Sequence, residues 1–342
     1  MRLSFRIAAI AACVISLAAC SLESGAPPPA RSDPSRTQLG APRVTLLVFP
    51  DDDEQELIDA IGSARQRVYM TMYLLTDARI IDALKAASDN GVDVKVLLEI
   101  NPLGAGASAK TAFDKLKAGG VAIKTANPTF RLTHQKSFVI DDRVLILTAN
   151  MTRSSFTRNR EFAVWHTTRA DVDEIARAFD ADWKRDNFEP ASQVLVWSPV
   201  NARERINALI ENTRSTLDIY AASALDDQQI GLIAAAQQRG VAVRLLTSPP
   251  RASEDSDADA EDLDMLQRAR VGVRFLKSPI VHAKAFVADG GDAGRLAFVG
   301  SVNITTQSMN FNRELGILIA DAQAISRLSD TFQTDWDKAV DR

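Results

Sequence analysis

The chain is written twice, and that repetition limits the folds open to it more than any other feature. Sliding the sequence by 149 residues places Pro50 on Pro199, Leu57 on Ile206, Ile61 on Ile210, Gly91 on Gly240, Val94 on Val243 and Leu97 on Leu246. No gap is needed from Pro50 to Leu98. The offset is 148 at the paired histidines and 153 once a Gly290-Gly291-Asp292-Ala293-Gly294 turn has lengthened the second copy. At that offset Phe179-x-x-Asp182-Trp183 falls on Phe332-x-x-Asp335-Trp336 in a closing helix.

Each copy orders its elements alike. In the first, Leu57, Ile58, Ile61 and Ala64 give an amphipathic helix, followed by an apolar strand from Val68 to Leu74. A second helix carries Ile80, Ile81, Leu84 and Ala87 and leads through Asn90-Gly91 into a strand from Val92 to Leu98. Alternating helices and strands predict an α/β fold of two homologous halves, 43–189 and 190–342, each a mostly parallel sheet flanked by helices. Halves packed about a pseudo-two-fold axis bring equivalent segments to one interface. The expected molecule is a monomer that contains its own pseudo-dimer.

Ahead of the repeat, Arg2 and Arg6 precede an apolar run from Ile7 to Ala19 that is too short to span a bilayer as a helix, which reads as a signal peptide over 1–19. It closes in Leu17-Ala18-Ala19-Cys20, similar to the bacterial lipobox, which implies a lipidated Cys20 as mature N-terminus. The Ser21 that follows fits sorting to the outer membrane, facing the periplasm. Residues 20–42, rich in Pro, Ser, Gly and Ala, suit a flexible tether. With Cys13 lost in the signal and Cys20 lipidated, no thiol remains for a disulfide, a metal or a nucleophile.

Only three histidines exist, and two share one pattern: His134-x-Lys136-x4-Asp141 and His282-x-Lys284-x4-Asp289. On strands expected over Thr133–Ile140 and Val281–Ala288, each His and Lys, two apart, project from one face. Thr148-x-Asn150 then matches Ser301-x-Asn303, and Asn159-Arg160-Glu161 matches Asn312-Arg313-Glu314, nine residues separating the first asparagine from the second in both copies.

This set suits a tetrahedral phosphate. Lys136 and Lys284 offset charge on the non-bridging oxygens, while the Asn150 and Asn303 amides and the Thr148 and Ser301 hydroxyls add oriented donors. No metal or other cofactor is required. One neutral imidazole can attack phosphorus while an opposing imidazolium protonates the leaving oxygen, through a phosphohistidine. Glu161 and Glu314 would fix each imidazole's tautomer and orientation. Asp141 and Asp289, at the strand ends, suit hydrogen bonding in turns at least as well as catalysis. Arg160 and Arg313 read as partners of nearby carboxylates. His166, whose counterpart is Ile319, reads as structural.

These residues resemble the phospholipase D superfamily, with its duplicated His-x-Lys-x4-Asp motifs, over essentially all of Arg43 to Asp341. The resemblance implies a sheet-and-helix sandwich in each half, a shared metal-free site at their interface, and His134 as nucleophile with His282 as acid. One departure stands at Leu147-Thr148, where the family has the Gly-Ser that Gly300-Ser301 keeps. The family includes phospholipases, cardiolipin synthases, nucleases and phosphatidyltransferases.

Charge helps to choose among them. The whole chain carries a formal charge of −4, and losing Arg2 and Arg6 with the signal makes the mature chain two units more negative. A nucleic-acid partner ordinarily meets a basic excess, and an aromatic content of 6% gives no stacking platform. The acidic run from Glu254 to Asp264 lacks ligand spacing and reads as a solvated face. The expectation is a membrane-anchored phosphodiesterase releasing phospholipid headgroups, with a periplasmic nuclease and a cardiolipin synthase-like phosphatidyltransferase as alternatives.

Overall fold

Two-residue alternation decides where each strand of the first half sends its side chains. In Thr45–Phe49 (β1), Leu46 and Val48 enter one buried cluster while Leu47 and Phe49 enter another. Arg143–Leu147 (β6) divides the same way, Val144 and Ile146 against Leu145 and Leu147. Strands apolar on both faces require cover on both faces. One cover is the half's own helices, and the other is the second half.

The computed structural model describes residues 44–103, 106–222, 225–249, 256–289 and 294–342. The expected signal peptide, Cys20 and the tether lie outside these residues. The first half continues through Gln55–Ser63 (α1), Arg67–Met72 (β2), Ala78–Asp89 (α2), Asp93–Leu98 (β3), Gly106–Ala118 (α3) and Ala122–Thr125 (β4). Lys136–Ile140 (β5) precedes β6, and Arg153–Thr157 (α4), Asn159–His166 (β7) and Arg169–Lys184 (α5) follow it.

The second half repeats the order: Leu195–Ser198 (β8), Ala202–Glu211 (α6), Thr216–Tyr220 (β9), Asp227–Gln238 (α7), Ala242–Thr247 (β10), Ser256–Arg268 (α8) and Gly272–Phe275 (β11). Then come Ile280–Val281 (β12), Ala285–Asp289 (β13), Arg295–Gly300 (β14), Thr306–Asn310 (α9), Glu314–Ile319 (β15), Ala322–Lys338 (α10) and Val340–Asp341 (β16).

The sheets run β1-β7-β6-β5-β2-β3-β4 and β16-β11-β10-β9-β13-β14-β15-β8. They are mixed, which corrects the expectation of mostly parallel sheets. Within each half, only β2, β3, β4 and their counterparts β9, β10, β11 pair in parallel, because a helix crossover joins each to the next. The other pairs within each half are antiparallel. The Asp141-Asp142 link between β5 and β6 shows why: a two-residue connection can only reverse the chain.

Three layers of core result. One lies between the first sheet and α1 to α3, and one between the second sheet and α6 to α8. The middle layer joins the halves, with Tyr69, Phe162 and Phe179 from the first meeting Trp197, Tyr220 and Phe332 from the second. The halves also share backbone: β12 adds to β7 in parallel, and a bridge pairs Thr133 with Arg313.

Candidate active site

Strand polarity gathers the motif residues at one end of each sheet. β2 and β3 end where β5 begins, and β6 ends where β7 begins. His134 lies just ahead of β5 rather than within it, which corrects the expected strand from Thr133. The cause is a contact with the other half: the backbone amides of His134 and Gln135 both donate to the carbonyl of Arg313, at 2.9 Å each. In the second copy His282 and Lys284 fall between β12 and β13, and the His282 amide donates to the carbonyl of Arg160 at 3.3 Å.

The residue before each histidine is tied down as well. The Thr133 amide donates to Glu99 Oε2 at 2.9 Å, and the Val281 amide to Ser248 Oγ at 2.7 Å. Glu99 and Ser248 occupy matched positions after β3 and β10.

Each imidazole then meets a glutamate from the opposite half. Nδ1 of His134 is 2.8 Å from Glu314 Oε2, and Nδ1 of His282 is 2.6 Å from Glu161 Oε1. Both glutamates are fully buried. Burial alone pushes each carboxyl up, yet the facing histidine and lysine hold Glu161 and Glu314 below the usual range. They are therefore acceptors only, Nδ1 carries the hydrogen, and chemistry falls to Nε2.

Lys136 and Lys284 are buried beside the rings, each ammonium donating to the backbone carbonyl of the histidine in its own motif. Burial, and for Lys136 the neighbouring Lys284, pulls Lys136 well below an ordinary lysine, and burial brings Lys284 to about 8. Burial, with the lysine charges, outweighs the glutamates and lowers both histidines, His134 to about 4. Each imidazole feels the lysine of both motifs, so the two motifs form one site.

Thr148 and Ser301 stand elsewhere than expected. Both are fully buried. Thr148 Oγ1 donates to Glu161 at 2.6 Å and accepts from the Phe162 amide at 2.9 Å, while Ser301 Oγ accepts from the Leu315 amide at 3.2 Å. Their hydroxyls are spent inside the protein and are not turned to a phosphate. The second half supports its glutamate with Ser308 and Asn312 instead. The Gly300 of that half answers a close approach of β14 to β15, where an added Cβ would lie 2.3 Å from the Gly316 Cα. Leu147 in the first half pairs with Ala163 and needs no such room.

Asn150 and Asn303 are half-buried, and in each the side-chain carbonyl oxygen is enclosed without a protein partner. Asp141, at φ 50°, turns its carboxylate to the backbone amides of Arg65, Gln66 and Arg67 at 2.8 to 3.0 Å, fixing the start of β2. Those amides hold its carboxyl below the usual range against the effect of burial. Asp289 closes β13, and its carbonyl accepts from Arg214 and Ser215. His166 is buried, with Nε2 on Asp171 at 2.7 Å.

Three residues beyond the expected set complete the surroundings. Asp335 of the Phe-x-x-Asp-Trp helix takes two bonds from Arg160, at 2.6 and 2.9 Å, and Asp182 takes one from Arg313 at 2.8 Å. The exchange is crossed, like the His–Glu pairs. An identical acid inside an apolar helix pattern in both copies was the available signal. The third, Tyr73, sets its ring edge-on to His134 with centroids 4.8 Å apart, and its hydroxyl accepts from the Leu103 amide at 2.7 Å.

Among known proteins, the family model described as "Cardiolipin synthase, PLD-like domain" matches twice, over residues 57–183 and 206–336. Cardiolipin synthase A of Pseudomonas entomophila is 34% identical over 131 residues, 37% of this chain and 27% of that protein. Cardiolipin synthase of Oceanobacillus iheyensis is 22% identical over 324 residues, 83% of this chain and 66% of the relative. The chain thus spans less than a third of the first relative and about two-thirds of the second. Phosphatidylserine synthase of Haemophilus influenzae shares the fold with a TM-score of 0.68 at 15% identity, over 90% of this chain and 91% of that one. With the family model matched once in each half and the same fold met in a solved relative, the chain belongs to the phospholipase D superfamily.

Proposed function

We propose that the protein is a phosphodiesterase that releases the headgroup of a phospholipid through a phosphohistidine. The observation that carries this reading is the reciprocal pair of imidazoles, each oriented by a glutamate from the other half, above two buried lysines. Neutral His134 attacks phosphorus through Nε2 while the P–O bond to the headgroup breaks, and His282 passes its Nε2 proton to the departing oxygen. Water then enters on the same side, His282 takes a proton from it, and the P–N bond breaks. Lys136, Lys284, Asn150 and Asn303 hold the non-bridging oxygens.

Burial favours neutral imidazoles in the empty site, which suits the nucleophile. A bound phosphate anion beside His282 supplies the opposing charge that favours its protonated form. Lipid as the substrate is supported by the expected anchor at Cys20, which would hold the enzyme in the cell envelope, and by the acidic balance of the chain. Cys20→Ser would abolish palmitate incorporation and membrane fractionation if the anchor is as proposed, and would leave both unchanged if it is not.

A second reading, transfer of the phosphatidyl group to another alcohol, draws on the synthase names of the relatives. One assay separates the readings: headgroup release from phospholipid vesicles, with and without glycerol, with plasmid DNA alongside and EDTA throughout. Phosphatidate as the product supports hydrolysis, and phosphatidylglycerol formed from glycerol supports transfer. Nicked DNA with inert lipid overturns the lipid reading.

A further inference from the structure

The two halves repeat the histidine, lysine, asparagine and glutamate of the site, and they differ in one wall beside it. In the first half the segment after β2 is Tyr73-Leu74-Leu75; at the matched place after β9 the second half has Ala222-Ser223-Ala224. Tyr73 lies edge-on to His134, and the Lys136 ammonium sits over its ring, 5.1 Å from the centroid. Ala222 offers no ring to His282. Ala222 borders a narrow crevice with Lys284 and Asn303, the counterparts of Lys136 and Asn150 beside Tyr73.

Exposure follows the same division. The His134 side chain retains 12% of its accessible surface and His282 31%, although their glutamate partners are equally buried. The site is therefore closed on the nucleophile's side and open on the acid's side.

In-line displacement gives that asymmetry a meaning. The attacking nitrogen and the departing oxygen lie on opposite sides of phosphorus, so a group expelled by His134 leaves toward His282. We infer that the wall at Ala222 receives the departing alcohol and sets how large it can be, while Tyr73 denies that space on the other side. The residue is a specificity determinant rather than a participant in the chemistry. The inference rests on the proposed roles of the two histidines but not on a lipid substrate.

The test compares two soluble diesters that share a methyl group and differ in the departing alcohol: methyl 4-nitrophenyl phosphate, which is compact, and methyl 4-methylumbelliferyl phosphate, which is bulkier. The ratio of their kcat/KM values is read for the full chain and for Ala222→Tyr, Ala222→Val and Tyr73→Ala. A partly misfolded variant lowers both rates alike and leaves the ratio intact. Ala222→Tyr is expected to shift the ratio about tenfold against the bulkier group, with Ala222→Val between, while Tyr73→Ala holds it within about twofold. An unchanged ratio in both Ala222 variants, or a shift produced by Tyr73→Ala instead, overturns the inference. Phosphatidylethanolamine and phosphatidylinositol in mixed micelles form the lipid arm. If the soluble diesters turn over and neither lipid does, the lipid reading fails while the ratio still decides the role of Ala222.

Discussion

Glu161, in the first half of the chain, lies 2.6 Å from Nδ1 of His282 in the second. Its repeat counterpart Glu314 does the same for His134. Neither motif histidine takes its carboxylate from its own half, so the candidate site is a property of the interface.

That pairing separates the glutamates by the chemistry each supports. Glu161→Gln disturbs the acid, so release of an alkyl alcohol should fall about 10²- to 10³-fold while release of p-nitrophenol, which needs no proton, falls far less. Glu314→Gln disturbs the nucleophile and should slow both alike. Comparable losses for Glu161→Gln on both leaving groups would contradict the assignment.

The histidines should also be distinguishable by trapping. With a p-nitrophenyl ester, His282→Asn is expected to accumulate an acid-labile, alkali-stable phosphoenzyme that mass spectrometry maps to His134, and His134→Asn to form none. Label on His282 in the His134→Asn variant would reverse the roles.

The pH dependence follows from burial. His134 must be neutral, and burial with the lysine charges lowers it to about 4, so kcat/KM should rise through that region as pH increases. His282 must carry its proton in the free enzyme, and its own lowering sets the descending limb below 6.5. The profile with an alkyl ester is thus a bell centred on the acid side of 6.5. With p-nitrophenol leaving, the descending limb should move to higher pH, to where the two buried lysines lose their charge. A bell that ignores the leaving group would count against His282 as the acid.

Asp335 carries a stability load as well. Arg160 and Asp335 are both buried and joined by two hydrogen bonds, so Asp335→Asn leaves the guanidinium only the exposed Asp51 as an anionic partner and should cost about 3 kcal/mol. Arg169→Ala breaks an exposed pair with Asp173 and should leave stability nearly unchanged. Urea midpoints at an unchanged slope would report both. Equal shifts would mean that the buried pair is not a tie between the halves.

The sequence made the candidate set legible because duplication marks it: His134, Lys136, Asn150 and Glu161 each recur at matched spacing. It could not say that the glutamates cross, since an offset identifies equivalent residues and not which of two equivalents a side chain reaches. The same limit hid the ties of Asp182 and Asp335. Thr148 and Ser301 were misread for another reason. Side-chain direction at the end of β6 or β14 depends on how a neighbouring strand packs, and both hydroxyls turn inward to β7 or β15. His134 fell outside its expected strand because a carbonyl of the other half holds its amide, a contact 179 residues away in the chain.

Duplication ordinarily gives a lineage a spare, free to drift while its twin keeps working. The Arg313 carbonyl and the Glu314 carboxylate remove that freedom, because they belong to one repeat and grip the histidine of the other. A change in either copy is felt first in its sibling, so selection sees the pair as a single unit. Residues that vary together in descendants of this chain should therefore match across the repeats, Asp182 with Arg313 and Asp335 with Arg160, rather than within them.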